Sequence, residues 1–532
     1  HELRKHRLPR HRDRNQYLRL RQRLGGGLGT DFVPHYNNYL IGGYDWTENQ
    51  RRRISTWWPN NLTAINGQPG PGSYPGLGWR DLDAARSRDT IYVGGGIDPH
   101  QDAWGGLICN IQGDVTLENV TIQECYSHPL FGGGEDEGGG IYNDNSLVDG
   151  SPGGSLTITG CQFFQNHGAS HRFDNVYGGA ISLLSPVATI TDSYFRTNQV
   201  YWDVWGDLET ERFESMGGAI SQTGGTLAVE RCTFETNLSS TGNGLVDPLT
   251  AGPIGFSSGG ALYKTGGTLT VDASRFFENF ATAGDGSAMS VDTATIADTM
   301  FEDNWTIGNM LLWPAPNGGA LRATSTHTVT DSDFLSNVCG TFFTPGTGGG
   351  AFGANGTYTR VRFTSNLAFA SGGGFAGGML ATDVYFQSNA CLSSGGGALG
   401  GVSGERVHFL SNSAAISGGG LDGTGTLDDS EFRNNSAGVG GGLYEGNVYG
   451  SSDDDVFTNV IFYGNTASGS GGAVYSVGAE TEAPDGSDDG TIRYGPAFVN
   501  CSFTQNEAGE AAGAIYHTYS DVTLVNCILW GD

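Results

Sequence analysis

The sequence predicts an all-β chain, a right-handed parallel β-helix solenoid of about 23 residues per coil with long loop insertions and a basic N-terminal arm. Three observations carry that prediction. A Phe-x-x-Asn phrase recurs twelve times, ending at Asn166, Asn198, Asn237, Asn279, Asn304, Asn337, Asn366, Asn389, Asn412, Asn435, Asn465 and Asn506. Its spacing has a floor of 23 residues, met three times running between Asn366 and Asn435. A fixed floor with variable excess means one structural unit carrying loops of different sizes. Each phrase is answered by a glycine pair, such as Gly396-Gly397 or Gly419-Gly420.

The elements of one unit follow in order from residues 372–394. Asp383-Val384-Tyr385-Phe386 alternates as a strand with Val384 and Phe386 on one face. Val361 and Phe363, Val407 and Phe409, and Val460 and Phe462 repeat the pair, so stacked coils would set Phe on Phe along the interior. Asn then ends the strand and is expected to take the left-handed conformation of a sharp corner. Its amide can hydrogen-bond from coil to coil, as Asn ladders do. A short segment with Ala or Cys inward comes next. The glycine pair follows, permitting positive φ and close approach of neighbouring backbones. A further short strand, Ala398-Leu399 or Leu443-Tyr444, completes the unit.

Three short strands and three corners describe one coil of a parallel β-helix. With coils roughly 4.8 Å apart, fourteen or so would make a rod of about 65–70 Å. Helical solenoids fail for want of helical periodicity, and a calcium β-roll would need nonapeptide Gly-Gly-x-Gly-x-Asp repeats that are missing. The expected organisation is a basic arm over 1–35, an N-terminal cap with the first coils over 36–110, and β-helix repeats over 111–532.

Glycine supplies 88 of 532 residues without the triplet period of collagen. Residues 1–23 carry nine Lys and Arg against Glu2 and Asp13, a net +7, which leaves the remainder at −36 within the chain's −29. So acidic a body is a poor partner for nucleic acid. No apolar run is long enough for a transmembrane helix. The chain opens at His1 with no hydrophobic signal core, the expectation for a mature or trimmed chain. The cysteines do not read as a disulfide framework. Cys161, Cys232, Cys501 and Cys527 stand two residues before the Phe position, and Cys339 and Cys391 stand two after Asn, where Ala stands in other units. They read as small buried fillers, with Cys501 and Cys527 the pair most able to bridge.

The excess residues fall into two groups. Units toward the N-terminus are enlarged before the glycine pair, at 126–137, 167–177, 199–216, 238–258, 305–317 and 340–347. Those toward the C-terminus are enlarged after it, at 446–457 and 477–494. A corner position repeats along a solenoid, so each group should form a ridge. The first is aromatic, and Trp202, Trp205, Trp305, Trp313, Phe342 and Phe343 are its candidate ligand- or subunit-binding residues. The alternative is that these rings fold onto the rod as a satellite core. The second is acidic: Asp453, Asp454 and Asp455 in one coil, Asp485, Asp488 and Asp489 in the next. Neighbouring carboxylates supply the oxygens calcium prefers, so calcium is the one metal candidate, against a solvated loop that aids solubility. No organic cofactor is expected. The arm, through Arg4, Lys5, Arg7, Arg10, Arg12 and Arg14, is a candidate for docking on the acidic body of the next subunit. A disordered tail and a cap on its own rod are the alternatives.

No nucleophile elbow, phosphate loop or metal-ligand spacing stands out. Lys264 follows a Gly-Gly-Ala-Leu-Tyr strand without an acidic constellation, and His408 beside Phe409 should point outward. A non-enzyme is expected, with a polysaccharide lyase or glycosidase as the alternative.

The pairing of Cys/Ser-x-Phe-x-x-Asn-x-Ala with Gly-Gly-Ala/Gly-Ile/Leu-Tyr, seen in residues 501–508 (CSFTQNEA) and 138–142 (GGGIY), resembles the repeats of polymorphic outer-membrane proteins and related exported bacterial β-helix proteins. Residues 40–53 and 60–68 resemble the opening region, and 525–532 a late coil, of β-helix proteins with varied cell-surface anchors. The resemblance implies an extracellular or bacterial outer-surface location. Chains of this kind usually continue into an anchoring or translocation segment, whereas this one stops mid-coil at Asp532, so the anchor is expected either to be absent or to belong to a part outside this sequence. The resemblance implies no shared catalytic residues. The expected function is a secreted or surface structural or adhesion protein, with self-assembly into a filament or sheath, or binding of a host or cell-surface protein or glycan.

Overall fold

The computed structural model describes residues 155–532 apart from 171–174, 185–186, 203–212, 241–254, 283, 309–314, 447–454 and 479–494, and before 155 only short segments between Tyr92 and Asp144. The arm over 1–35 and nearly all of 36–110 lie outside the described residues.

Each coil contributes four strand segments. The first starts on the glycine pair (Ile181–Leu184, Ile220–Thr223), the second follows at once (Val187–Thr191, Thr226–Glu230), and the third carries Phe (Tyr194–Arg196, Thr233–Glu235). In the compact coils these run together, as in the 13-residue strand Phe375–Gln387. They pair in parallel, and Phe363, Phe386, Phe409 and Phe432 are successive partners 23 residues apart. A fourth segment after Asn, such as Leu238–Ser240 or Leu367–Ala368, forms its own sheet, 13-stranded among the described residues. The chain is therefore an all-β parallel β-helix, and its described residues contain no helix.

The interior is built from columns. Twelve Phe rings, Phe163 to Phe503, stack with centroids 4.6–5.2 Å apart and planes within 2–12°. All twelve are fully buried. One such ring per coil, at about 1.5–3 kcal/mol of burial each, makes the column a main source of cohesion. The corner after Phe breaks the strand alternation, so Asn, three residues on, also points inward. Each Asn Nδ2 donates to the Oδ1 of the next coil's Asn at 2.9–3.0 Å and to the preceding coil's backbone at the Phe position at 2.8–3.1 Å. Each Oδ1 also accepts the backbone N–H of the Asn before it. No amide in the ladder is left unmatched, which is what burial demands. Asp532 takes the next rung, its Oδ1 accepting from Asn506 N and Nδ2 at 2.8 and 2.7 Å.

One expectation needs correction. The left-handed residue at this corner is the one before Asn: Thr197, Thr236, Ser336, Ser365, Ser388 and Ser411 have φ of 51–56°, whereas the ladder asparagines do not. Asn cannot take that role, because a left-handed turn there would swing its amide out of the ladder. A second left-handed column lies between the second and third strands, where Asp331, Arg360, Asp383 and Arg406 have φ of 49–57°. Such residues cost roughly 1–2 kcal/mol each. Stacked corners offset part of this through forked ion pairs, Arg360 to Asp331 at 2.5 and 2.7 Å and Arg406 to Asp383 at 2.5 and 3.2 Å.

Cys339 and Cys391 are buried in the fourth-strand column that Ala368, Ala414 and Ala437 share. At the other cysteine position the side chain does more than fill space. Ser193 Oγ donates to Thr191 O, and Cys232 Sγ likewise donates to Glu230 O at 3.3 Å. A thiol and a hydroxyl are interchangeable there because each can bond the carbonyl two residues back. Cys501 and Cys527 stack in successive coils without a disulfide.

The second glycine of each pair is dictated by close approach. A Cβ on Gly218 or Gly349 would run into the carbonyl oxygen of Gly260 or Gly373 in the next coil.

Candidate functional site

The insertions ahead of the glycine pair are partly regular. Asp136–Glu137, Val176–Tyr177, Phe213–Met216 and Gly255–Ser258 form a four-stranded parallel sheet along the rod. Trp202 ends the strand Gln199–Trp202, while Trp205 and Trp313 lie outside the described residues.

The remaining aromatic candidates, Trp305, Phe342 and Phe343, come together on one face. The residue after each Asn must point outward because Asn points inward, and in five successive coils that residue is Leu238, Phe280, Trp305, Val338 and Leu367. Trp305 is 41% exposed, packs edge-on against Phe280 at 5.7 Å, and donates Nε1–H to Gly340 O at 3.4 Å. Two residues further along the strand, Phe369 and Leu392 also face out, Leu392 at 42%. Ile416 extends the surface at 57%. From Leu238 to Ile416 the stripe crosses seven coils, roughly 30 Å.

Phe342 and Phe343 stand up from it, 79% and 73% exposed. Their turn is closed by Thr341 N–H to Thr344 O at 2.9 Å and by Thr341 Oγ1, which meets Thr344 Oγ1 at 2.9 Å and accepts Phe343 N–H at 3.3 Å. A Gly340–Pro345 bridge clamps its base. Phe342 leans on Phe369 with centroids 5.1 Å apart. Two large apolar rings are thus held out on a rigid turn.

The stripe is free of charge. The fourth-strand segments from Gln199–Trp202 to Thr466–Ala467 contain no Asp, Glu, Lys or Arg among their described residues. The outward face of the Phe strands is the opposite. There Arg275 pairs with Glu302, Arg362 forks onto Asp333 at 2.6 and 2.7 Å, and His408 meets Glu431 at 2.9 Å. His408 does point outward, stacked on Tyr385 at 4.3 Å.

The aromatic candidates in the sequence all stand in insertions, so the outward residues Phe280, Val338, Leu367, Phe369, Leu392 and Ile416 of the same stripe are not among them. The signal was present: the residue after each repeat Asn turns apolar for five consecutive coils.

Of the acidic ridge, Asp453, Asp454, Asp485, Asp488 and Asp489 lie outside the described residues. Asp455 Oδ1 accepts Gly425 N–H at 2.8 Å and so ties its loop to the preceding coil. Among the described residues no group of three or more His, Cys, Asp or Glu is placed to hold a metal ion.

Two buried basic groups belong to the scaffold. Lys264 is 1% exposed, and its Nζ donates to Gly224 O at 2.7 Å, Gly225 O at 3.4 Å and Gly266 O at 2.5 Å. Burial lowers its pKa to about 8, with Asp292 opposing the shift. Gly353 and Gly356 enclose the His327 ring, leaving no room for a side chain. Its Nε2 meets Tyr358 OH at 2.8 Å and its Nδ1 meets Ser325 O at 3.0 Å, and burial holds its pKa below the ordinary value.

The profile of the Chlamydia polymorphic membrane protein repeat matches residues 459–477. The repeat resembles that of the polymorphic membrane proteins. The match spans one coil: the Phe strand Ile461–Tyr463, the ladder residue Asn465, the inward Ala467, Gly471-Gly472 and the strand Val474–Val477. The polymorphic-membrane-protein-like features are therefore the structural ones, Phe column, Asn ladder and glycine approach, and the same features recur in the coils before it. No curated protein and no solved structure matches the chain.

Proposed function

We propose that the chain is a non-catalytic rod of a cell surface or outer membrane, whose charge-free stripe around Trp305, Phe342 and Phe343 is its contact face. The stripe carries this reading. Five side chains exposed by 41–79% on one face of an otherwise acidic protein leave apolar surface on the order of 500 Å², at the upper end of what a monomer tolerates without a use for it. The repeat matched at 459–477, from a membrane protein family, supports the location. Adhesion fits because the exposed rings are preorganised and therefore lose little freedom on contact.

The test is attachment of the purified chain to target cells or vesicles. The Phe342→Ser/Phe343→Ser variant should lose most attachment while its melting temperature stays put, since neither ring is buried. Unchanged attachment would remove the stripe as the contact face. The basic arm offers a second, separate contact, opposite in sign to the body's −36. Deleting residues 1–25 should reduce assembly size in light scattering if the arm joins rods into a filament.

A further inference from the structure

We infer that the stripe pairs with the stripe of a second copy of this chain, the two rods lying face to face and antiparallel. The inference rests on reading this face as a contact surface, and it commits to the occupant. Three observations select another copy. The first is charge. Each copy carries a body of net −36, and the charge-free stripe is the face on which two such bodies can meet without setting carboxylate against carboxylate. Like-charge repulsion between the rods is then confined to the rims, where salt screens it.

The second observation is self-complementary relief. The Phe342–Phe343 turn rises over Phe369 in the first half of the stripe. In the second half the position after each Asn becomes small, at Ala390, Ser413 and Ser436, and Ala415 and Gly438 follow Leu392 in the column that Phe369 begins, with the exposed Leu392 and Ile416 beside them as apolar walls. Knob and trough share a face and a lateral position, two to four coils apart, roughly 10–20 Å. A two-fold axis in the interface plane, crossing the rod between Leu367 and Ala390, sets each copy's knob in the other's trough. Such an isologous fit closes on itself and stops at two.

The third is size. Apolar exposure on the order of 500 Å² exceeds half of the approximately 800 Å² that each partner buries in a standard interface. The small residues and rim of the trough supply the remainder. A small ligand would leave most of it in water.

Sedimentation velocity of the full chain, from micromolar to hundred-micromolar concentration, should show a species at twice the chain's 56.0 kDa. The Phe342→Ser/Phe343→Ser variant should sediment as a monomer with an unchanged melting curve. The Phe343→Cys/Ser413→Cys variant, oxidised at dimer concentration, should give a covalent dimer, and Phe343→Cys alone should not. A wild-type monomer at every concentration, or a dimer that survives loss of both rings, overturns the inference. If the wild type is monomeric yet ring removal still abolishes attachment to cells or vesicles, the occupant is a foreign protein, glycan or bilayer. In that case the contact-face reading stands while the pairing falls.

Discussion

Removing one rung of the asparagine ladder tests what holds the coils in register. Asn389 sits mid-rod. Its Nδ2 donates to Asn412 Oδ1 at 3.0 Å and Phe363 O at 2.8 Å, and its Oδ1 accepts Asn366 N and Nδ2, both at 2.9 Å. Asn389→Ala orphans the Asn366 N–H and one hydrogen of its amide, although Asn366 Nδ2 keeps Phe334 O. It also strips Phe363 O of the side-chain donor. At about 1–3 kcal/mol per buried unsatisfied group, the three groups bring the loss to about 3–9 kcal/mol. Asn389→Asp separates hydrogen bonding from volume. One oxygen still accepts from Asn366, but the other then faces Phe363 O and Asn412 Oδ1, two acceptors. Protonation supplies a donor, so the pKa of this carboxyl should rise on folding. A raised carboxyl pKa contributes stability at low pH that is lost as pH climbs. The Asp variant should therefore recover stability relative to wild type on acidification from about pH 7 to about pH 4. Urea unfolding followed by circular dichroism reads the first effect, and hydrogen exchange of the Asn366 amide localises it. A loss under about 1 kcal/mol for the Ala variant, or an Asp variant that gains nothing in acid, would show that the ladder is incidental to the stacked Phe rings.

Three further outcomes follow from buried and bound groups. Lys264→Met should cost about 1–3 kcal/mol near neutral pH by leaving the carbonyls of Gly224 and Gly266 without their donor. Because Lys264 titrates near 8 in the folded protein and near 10.5 when unfolded, wild-type stability should rise across that window, and the Met variant should lose the rise in chemical denaturation. His327, held neutral by burial, contributes stability present above its ordinary pKa and lost as pH falls below it, so His327→Gln should flatten that part of the acid limb of a melting profile. Calcium bound by the 453–455 and 485–489 ridge would raise the melting temperature of wild type more than that of Asp453→Asn/Asp455→Asn, and equal shifts would remove calcium.

The scaffold was legible because its signals are periodic and local. Phe at its interior position is fixed by alternation and Asn three residues on by the corner between them, and both columns stand where the repeat put them. The corner was misread because Asn is known for left-handed turns, yet tertiary hydrogen bonding claims its amide and hands the strained conformation to Thr197, Ser336 or Ser388. Burial of Lys264 was hidden for a related reason: the carbonyls that receive it come from Gly224 and Gly225, some 40 residues away. The apolar stripe was half legible. Phe342 and Phe343 advertise themselves in an insertion, whereas Leu367, Leu392 and Ile416 become surface only once the inward direction of each Asn is known.

The asparagine ladder also has a direction. Every rung gives protons toward the C-terminal neighbour and receives them from the N-terminal one, so its amide dipoles add along the axis instead of cancelling. The rod accordingly has a donor-rich pole and an acceptor-rich pole, a lengthwise polarity of the kind a helix owes to its peptide units. A coil arriving on the C-terminal side docks by offering an oxygen, and one on the N-terminal side by offering an N–H. Asp532, a carboxylate held where the donors converge, is the charge sign that pole attracts.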